Sequence, residues 1–122
     1  MRTILVIDDN VAVLSTLIYL LEEQGYNVLG AENGRVGARL YRSQRPDLVI
    51  ADIIMPEQEG ITTIREIKRV CPEAKIIAIS GGARIGNADP LEMAYAVGAS
   101  RGLNKPLDPD DFVAIVNDVL AA

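Results

Sequence analysis

Five side chains able to do chemistry stand at the ends of short apolar runs. Asp8 and Asp9 follow Thr3 to Ile7, Asp52 follows Leu48 to Ala51, Ser80 follows Ile76 to Ile79, and Lys105 stands before Pro106. Carboxylates crowded at one point repel one another and raise their own pKa values unless a cation sits among them. An oxygen-only donor set with this much negative charge, and no sulfur or nitrogen, suits a hard divalent ion that keeps several waters, which points to Mg2+. A carboxylate, a divalent cation, a lysine and a hydroxyl converging on one point make a phosphoryl-transfer site, where catalysis is mostly positioning and charge neutralisation. In such a site Asp52 acts as the nucleophile and becomes an acyl phosphate, while Lys105, Ser80 and the metal each take one phosphoryl oxygen.

That convergence needs a scaffold that brings distant strand ends together. Strand signals lie at Thr3 to Asp8, Asn27 to Ala31, Asp47 to Asp52 and Lys75 to Ser80, with a short fifth around Gly102 to Asn104. Three of them are continuous apolar runs, the pattern of strands covered on both faces of a parallel sheet. Between them run helical periods. Val11, Leu14, Leu17, Ile18 and Leu21 predict a helix over about 10 to 24, which Gly25 ends in a left-handed conformation. Ile61, Ile64, Ile67, Val70 and Cys71 predict another that Pro72 stops. Shorter helices are expected at about 34 to 44 and 90 to 97, the latter opened by Asp89 and Pro90, and a last one starts near Pro109. Strands and helices alternating through short loops give an α/β fold, a flavodoxin-like doubly wound sheet of five parallel strands in order 2-1-3-4-5 with five helices. In such a sheet ligands bind beyond the carboxyl ends of the strands, which is where the five candidate residues lie.

Composition narrows the function classes. At 122 residues the chain fits one domain, 1–122, with no output domain in it. The absence of histidine removes imidazole nucleophiles, bases and zinc ligands, and Cys71, alone, reads as a buried structural thiol. Twelve basic against 17 acidic residues give a net charge of −5, which argues against direct nucleic-acid binding. No apolar run approaches the roughly 20 residues of a membrane span, and no signal segment is visible, so a cytoplasmic, membrane-free protein is expected. Setting aside Asp8, Asp9 and Asp52 leaves 12 against 14, so most of the net acidity belongs to one pocket. Arg35, Arg39 and Arg42 make a basic stripe read as a solvated face, and Met93 and Tyr95 are read as packing or partner-surface residues. The glycines Gly81 and Gly86 mimic a phosphate-binding loop, but Asn87 and Ala88 replace its lysine and hydroxyl residue.

Taken together the motifs resemble the response-regulator receiver domains of two-component signalling. They are Asp8-Asp9 after an apolar strand, Asp52-Ile53-Ile54-Met55-Pro56 with Gly60 beyond it, Ser80 ending the fourth strand, and Lys105-Pro106 after Gly98-Ala99. The resemblance covers essentially the whole chain. It implies phosphorylation of Asp52 and Mg2+ held directly by Asp9, Asp52 and the backbone carbonyl of Ile54, with Asp8 acting through a metal-bound water. It also implies a cis peptide bond between Lys105 and Pro106. The implied donor is a phosphohistidine on a sensor histidine kinase or a histidine phosphotransfer protein, and the implied output is a contact with a downstream protein target or effector domain. Such a domain is not an enzyme beyond its own phosphorylation and dephosphorylation.

Two departures from the family pattern carry expectations of their own. The family's aromatic residue three positions before Lys-Pro is Gly102 here, so its usual coupling to the hydroxyl residue cannot operate in its common form, and the extra loop with Gly81, Gly82 and Gly86, within the long segment Ser80 to Gly98, is expected to be reshaped instead. Ile54 and Gly82 stand where fast hydrolysers carry polar side chains, so a long-lived phosphoryl group is expected. Gly102 also favours an alternative, a phosphorylation-independent interaction module, against which the intact acid cluster, Ser80 and Lys105 argue. An aspartyl phosphatase would have an acid where Ile54 stands, and a flavin carrier would favour aromatic loops, in a chain that is 4% aromatic.

Overall fold

The computed structural model describes residues 1–53, 59–81 and 89–122. Ten elements alternate along the chain: β1 (Thr3–Ile7), α1 (Val11–Glu23), β2 (Asn27–Ala31), α2 (Gly34–Gln44), β3 (Leu48–Asp52), α3 (Glu59–Val70), β4 (Ile76–Ser80), α4 (Pro90–Ala96), β5 (Arg101–Asn104) and α5 (Pro109–Ala121). The strands form one parallel sheet in the order β2-β1-β3-β4-β5, as expected from the sequence.

The continuous apolar runs earn their burial from both sides. Every residue of β3 and β4 is buried, and successive side chains serve opposite faces. Leu5, Ile7, Val49, Ala51, Ile76 and Ala78 pack against α2, α3 and α4. Ile4, Val6, Leu48, Ile50, Ile77 and Ile79 pack against α1 and α5, where Phe112 is the largest fully buried side chain. Burying one such aliphatic side chain contributes about 1.5–3 kcal/mol, so the central strands are fixed far more firmly than the half-exposed edge strand β2.

Helix ends follow the residues that can cap them. Asn10, Asn33, Asp89 and Asp108 each accept a backbone N–H of the first turn of their helices, and Pro90 and Pro109 occupy the first positions of α4 and α5. Gly25, just past α1, has a φ of 89°, the left-handed conformation that ends a helix. Observed boundaries lie within about two residues of the expected ones. Cys71 differs from expectation: it is half-buried, packed at the margin of the α2–α3 core and hydrogen-bonded with the hydroxyl of Tyr41, and the next two residues, Pro72 and Glu73, are exposed.

Candidate functional site

The sheet register lines up the strand ends that carry the candidate residues. Ile7 stands opposite Ala51, so Asp8 follows beside Asp52; Asp52 stands opposite Ile79, and Ser80 opposite Asn104, so Lys105 comes next in line. A backbone hydrogen bond from Lys105 N–H to the Ser80 carbonyl, 2.7 Å, extends the ladder one residue beyond β5 and holds the lysine there. The peptide bond from Lys105 to Pro106 is cis.

Three carboxylates meet at this end. Ligand oxygens of Asp8, Asp9 and Asp52 lie within 4.8 Å of one another, with Asp8 and Asp52 buried and Asp9 exposed. Asp8 is fixed twice, since its amide donates to the Ala31 carbonyl at 3.1 Å and its Oδ1 accepts from Asn10 N–H at 2.9 Å. Lys105 Nζ donates to Asp52 Oδ2 at 3.1 Å and to Asp8 Oδ2 at 3.3 Å. Three negative charges against one positive leave a formal charge of −2 in a largely buried spot. Burial pulls the Lys105 ammonium toward the neutral form, but its hydrogen bond and charge pairing with Asp52, reinforced by Asp8, outweigh this and raise its pKa.

Ser80 arrives differently. It is buried, yet the alternation of β4 places it with Ile76 and Ala78, on the face of α3 and α4, whereas Asp52 follows Leu48 and Ile50 on the face of α1 and α5. Its backbone carbonyl, through Lys105 N–H, ties it to the site. Ile54, whose carbonyl was expected among the metal ligands, and Met55, Pro56, Gly82 and Gly86 lie outside the described residues.

Sequence reasoning missed two supports. Asn10 both caps α1 at Val13 N–H and orients Asp8, and the signal was present as an Asn directly after Asp8-Asp9 and ahead of a helical period. Gly60 lets α3 approach the end of β3 so closely that an added Cβ would stand 2.4 Å from the Asp52 carbonyl oxygen and 2.5 Å from Ile53 Cα. The stripe Arg35, Arg39 and Arg42 is exposed, as expected. Among the described residues no helix is long and apolar enough to cross a membrane.

The sequence and the fold are similar to those of known proteins. A family model described as the response regulator receiver domain matches residues 4–117. The chemotaxis protein CheY of Thermotoga maritima is 35% identical over 119 residues, which span 97% of each chain. A CheY-like response regulator receiver domain protein from Methanospirillum hungatei superposes with a TM-score of 0.90 at 26% identity, over 99% of this chain and 94% of that one. A response regulator protein from Burkholderia pseudomallei, solved with a phosphorylated aspartic acid, calcium ion and citrate, superposes with a TM-score of 0.81 at 28% identity, over 93% of this chain and 65% of that one.

Proposed function

This chain belongs to the response regulator receiver domain family, and we propose that it is a phosphoacceptor whose Asp52 takes a phosphoryl group from a phosphohistidine on another protein or domain. Receiver domains are signalling modules of two-component systems, fed by histidine kinases and acting on downstream targets. The observation that carries the reading for this chain is the meeting of Asp8, Asp9, Asp52 and Lys105 at one strand-end pocket.

Receiver domains generally bind Mg2+ at such an acidic pocket, and the donors here fit it: oxygen ligands only, close together, with more negative charge than Lys105 neutralises. Asp8, Asp9 and Asp52 would hold the ion with the carbonyl of Ile54, and when bound it supplies charge neutralisation at the phosphoryl oxygens. The related Burkholderia pseudomallei protein carries a phosphorylated aspartate and a calcium ion, which supports the same pairing of cation and acyl phosphate.

In the transfer, an Asp52 carboxylate oxygen forms the new O–P bond as the N–P bond of the phosphohistidine breaks and the imidazole leaves. Lys105, already 3.1 Å from Asp52, holds one phosphoryl oxygen. Ser80 donates to another, and because it belongs to the face of α3 and α4, engaging the phosphoryl group alters what those helices pack against. The absence of histidine requires the donor to be elsewhere. A groove of about 630 Å3, lined by Ala12, Thr16, Leu20, Lys105 and Leu107, opens beside the site and is mostly apolar, which suits a donor helix that presents its phosphohistidine toward Asp52.

The test is transfer in trans. A radiolabelled histidine phosphotransfer protein mixed with this chain and Mg2+ should lose label to it, and Asp52→Asn should receive none. Label retained by every donor offered would favour the second reading, a phosphorylation-independent module, which Gly102 at the family's aromatic position supports.

A further inference from the structure

β5 is an outer strand, and among the described residues β4 is the strand it pairs with, which leaves its other side without a partner strand. Ser100 N–H and Lys105 N–H both point inward, to the Ile76 and Ser80 carbonyls, so the alternation of amides breaks between them, and Gly102 N–H is turned toward α4. There it donates to the Tyr95 hydroxyl at 2.7 Å, from α4. The missing side chain makes room for this: a Cβ at Gly102 would stand 2.9 Å from Leu91 Cδ2, 3.2 Å from the Tyr95 hydroxyl and 3.3 Å from Tyr95 Cε2. Leu91 and Tyr95, one helical turn apart, therefore cover the glycine together. The Tyr95 side chain remains half-exposed, so burial holds its ring only in part.

We propose that the Tyr95 hydroxyl and the Gly102 amide form a latch that fixes α4 on the edge of the sheet, and that the state of Asp52 sets this latch through β5. Gly102 lies three residues before Lys105, whose ammonium is shared between Asp52 and Asp8 and whose amide is tied to Ser80. A phosphoryl group at Asp52 draws that ammonium onto its own oxygens and displaces the end of β5. Tyr95 rides on α4 and does not follow, so the bond at the edge weakens and the tyrosine is released. The coupling rests on the phosphoacceptor reading above, while the latch itself does not. By reciprocity, a broken latch should ease occupation of the site.

Amide hydrogen exchange on the full chain tests both halves. In the unmodified protein Tyr95→Phe keeps the ring and removes the acceptor, and should speed exchange at Gly102 by about five-fold, the worth of one exposed hydrogen bond, with faster exchange in α4. Tyr19→Phe should change neither. Beryllofluoride with Mg2+ should speed Gly102 exchange in the wild type and add little in Tyr95→Phe. Unchanged Gly102 exchange in Tyr95→Phe overturns the latch. A beryllofluoride response at Asp52, Ser80 and Lys105 without one at Gly102 overturns the coupling. No beryllofluoride response at any of these amides overturns the phosphoacceptor reading and with it the coupling, and the Tyr95→Phe comparison then decides the latch alone.

Discussion

The ammonium of Lys105, the residue just past the last strand of the sheet, lies 3.1 Å from Asp52 Oδ2 at the end of the central strand. It partly offsets three carboxylates and already stands where a phosphoryl oxygen on Asp52 would seek a cation. Lys105→Met should therefore slow phosphorylation by acetyl phosphate by about 100- to 1000-fold, the range lost when one preorganised donor to developing charge is removed. Initial rates of adduct formation, with circular dichroism to verify the fold, check this.

Gly60 sets how near α3 comes to Asp52. Gly60→Ala would gain up to about 1 kcal/mol in helix propensity, but its Cβ meets backbone atoms of Asp52 and Ile53, which cannot turn aside as a flexible side chain can. Overpacking of this kind costs about 1–3 kcal/mol, so with the propensity gain set against it a net loss of up to about 2 kcal/mol is expected in urea unfolding. Gly81→Ala, where an added Cβ meets nothing within 4 Å, should be nearly neutral.

Stability should fall on the alkaline side. Burial, then the bond to Cys71, pushes the Tyr41 hydroxyl up from 10.0 to about 12, so above pH 10 the unfolded chain releases this proton before the folded one does. Lys105, also raised, works in the same direction: its pairing is fully present below its ordinary value of 10.5 and is lost as pH rises through the folded value. Urea midpoints should decline from about pH 10 to about pH 12, and less steeply in Tyr41→Phe.

The phosphorylated form should be long-lived. The residues two beyond Asp52 and two beyond Ser80 are Ile54 and Gly82, and neither side chain can orient a water at the acyl phosphate. A half-life of minutes or longer at room temperature is expected after removal of the phosphodonor. Replacing Ile54 by Asn or Glu should shorten it by about ten-fold, less than the roughly 100-fold or more of a fully positioned general base.

Most of the fold was legible because its signals are local. Unbroken apolar runs such as Leu48 to Ala51 mark strands covered on both faces, and Asp89-Pro90 and Pro109 mark helix starts within a residue. The acid cluster was legible because a parallel sheet collects its strand ends on one side. What was not legible depends on distances between segments. Nothing in the spacing of Tyr95 and Gly102 shows that a hydroxyl on α4 fills the space above a glycine on β5, and nothing in Gly60 alone shows which backbone it touches. Cys71 was misread because its apolar period continues α3, while it stands at the margin of the core with exposed Pro72 and Glu73 beyond it.

The central claim is that Asp52 is the phosphoacceptor, and intact-mass measurement after incubation with acetyl phosphate and Mg2+ tests it most directly. The wild type should gain one adduct of about 80 Da, the mass of a phosphoryl group, that is lost in alkali. The adduct should be absent from Asp52→Asn and should fail to form when Mg2+ is chelated. An adduct of the same size that survives alkali, or that persists in Asp52→Asn, would contradict the account.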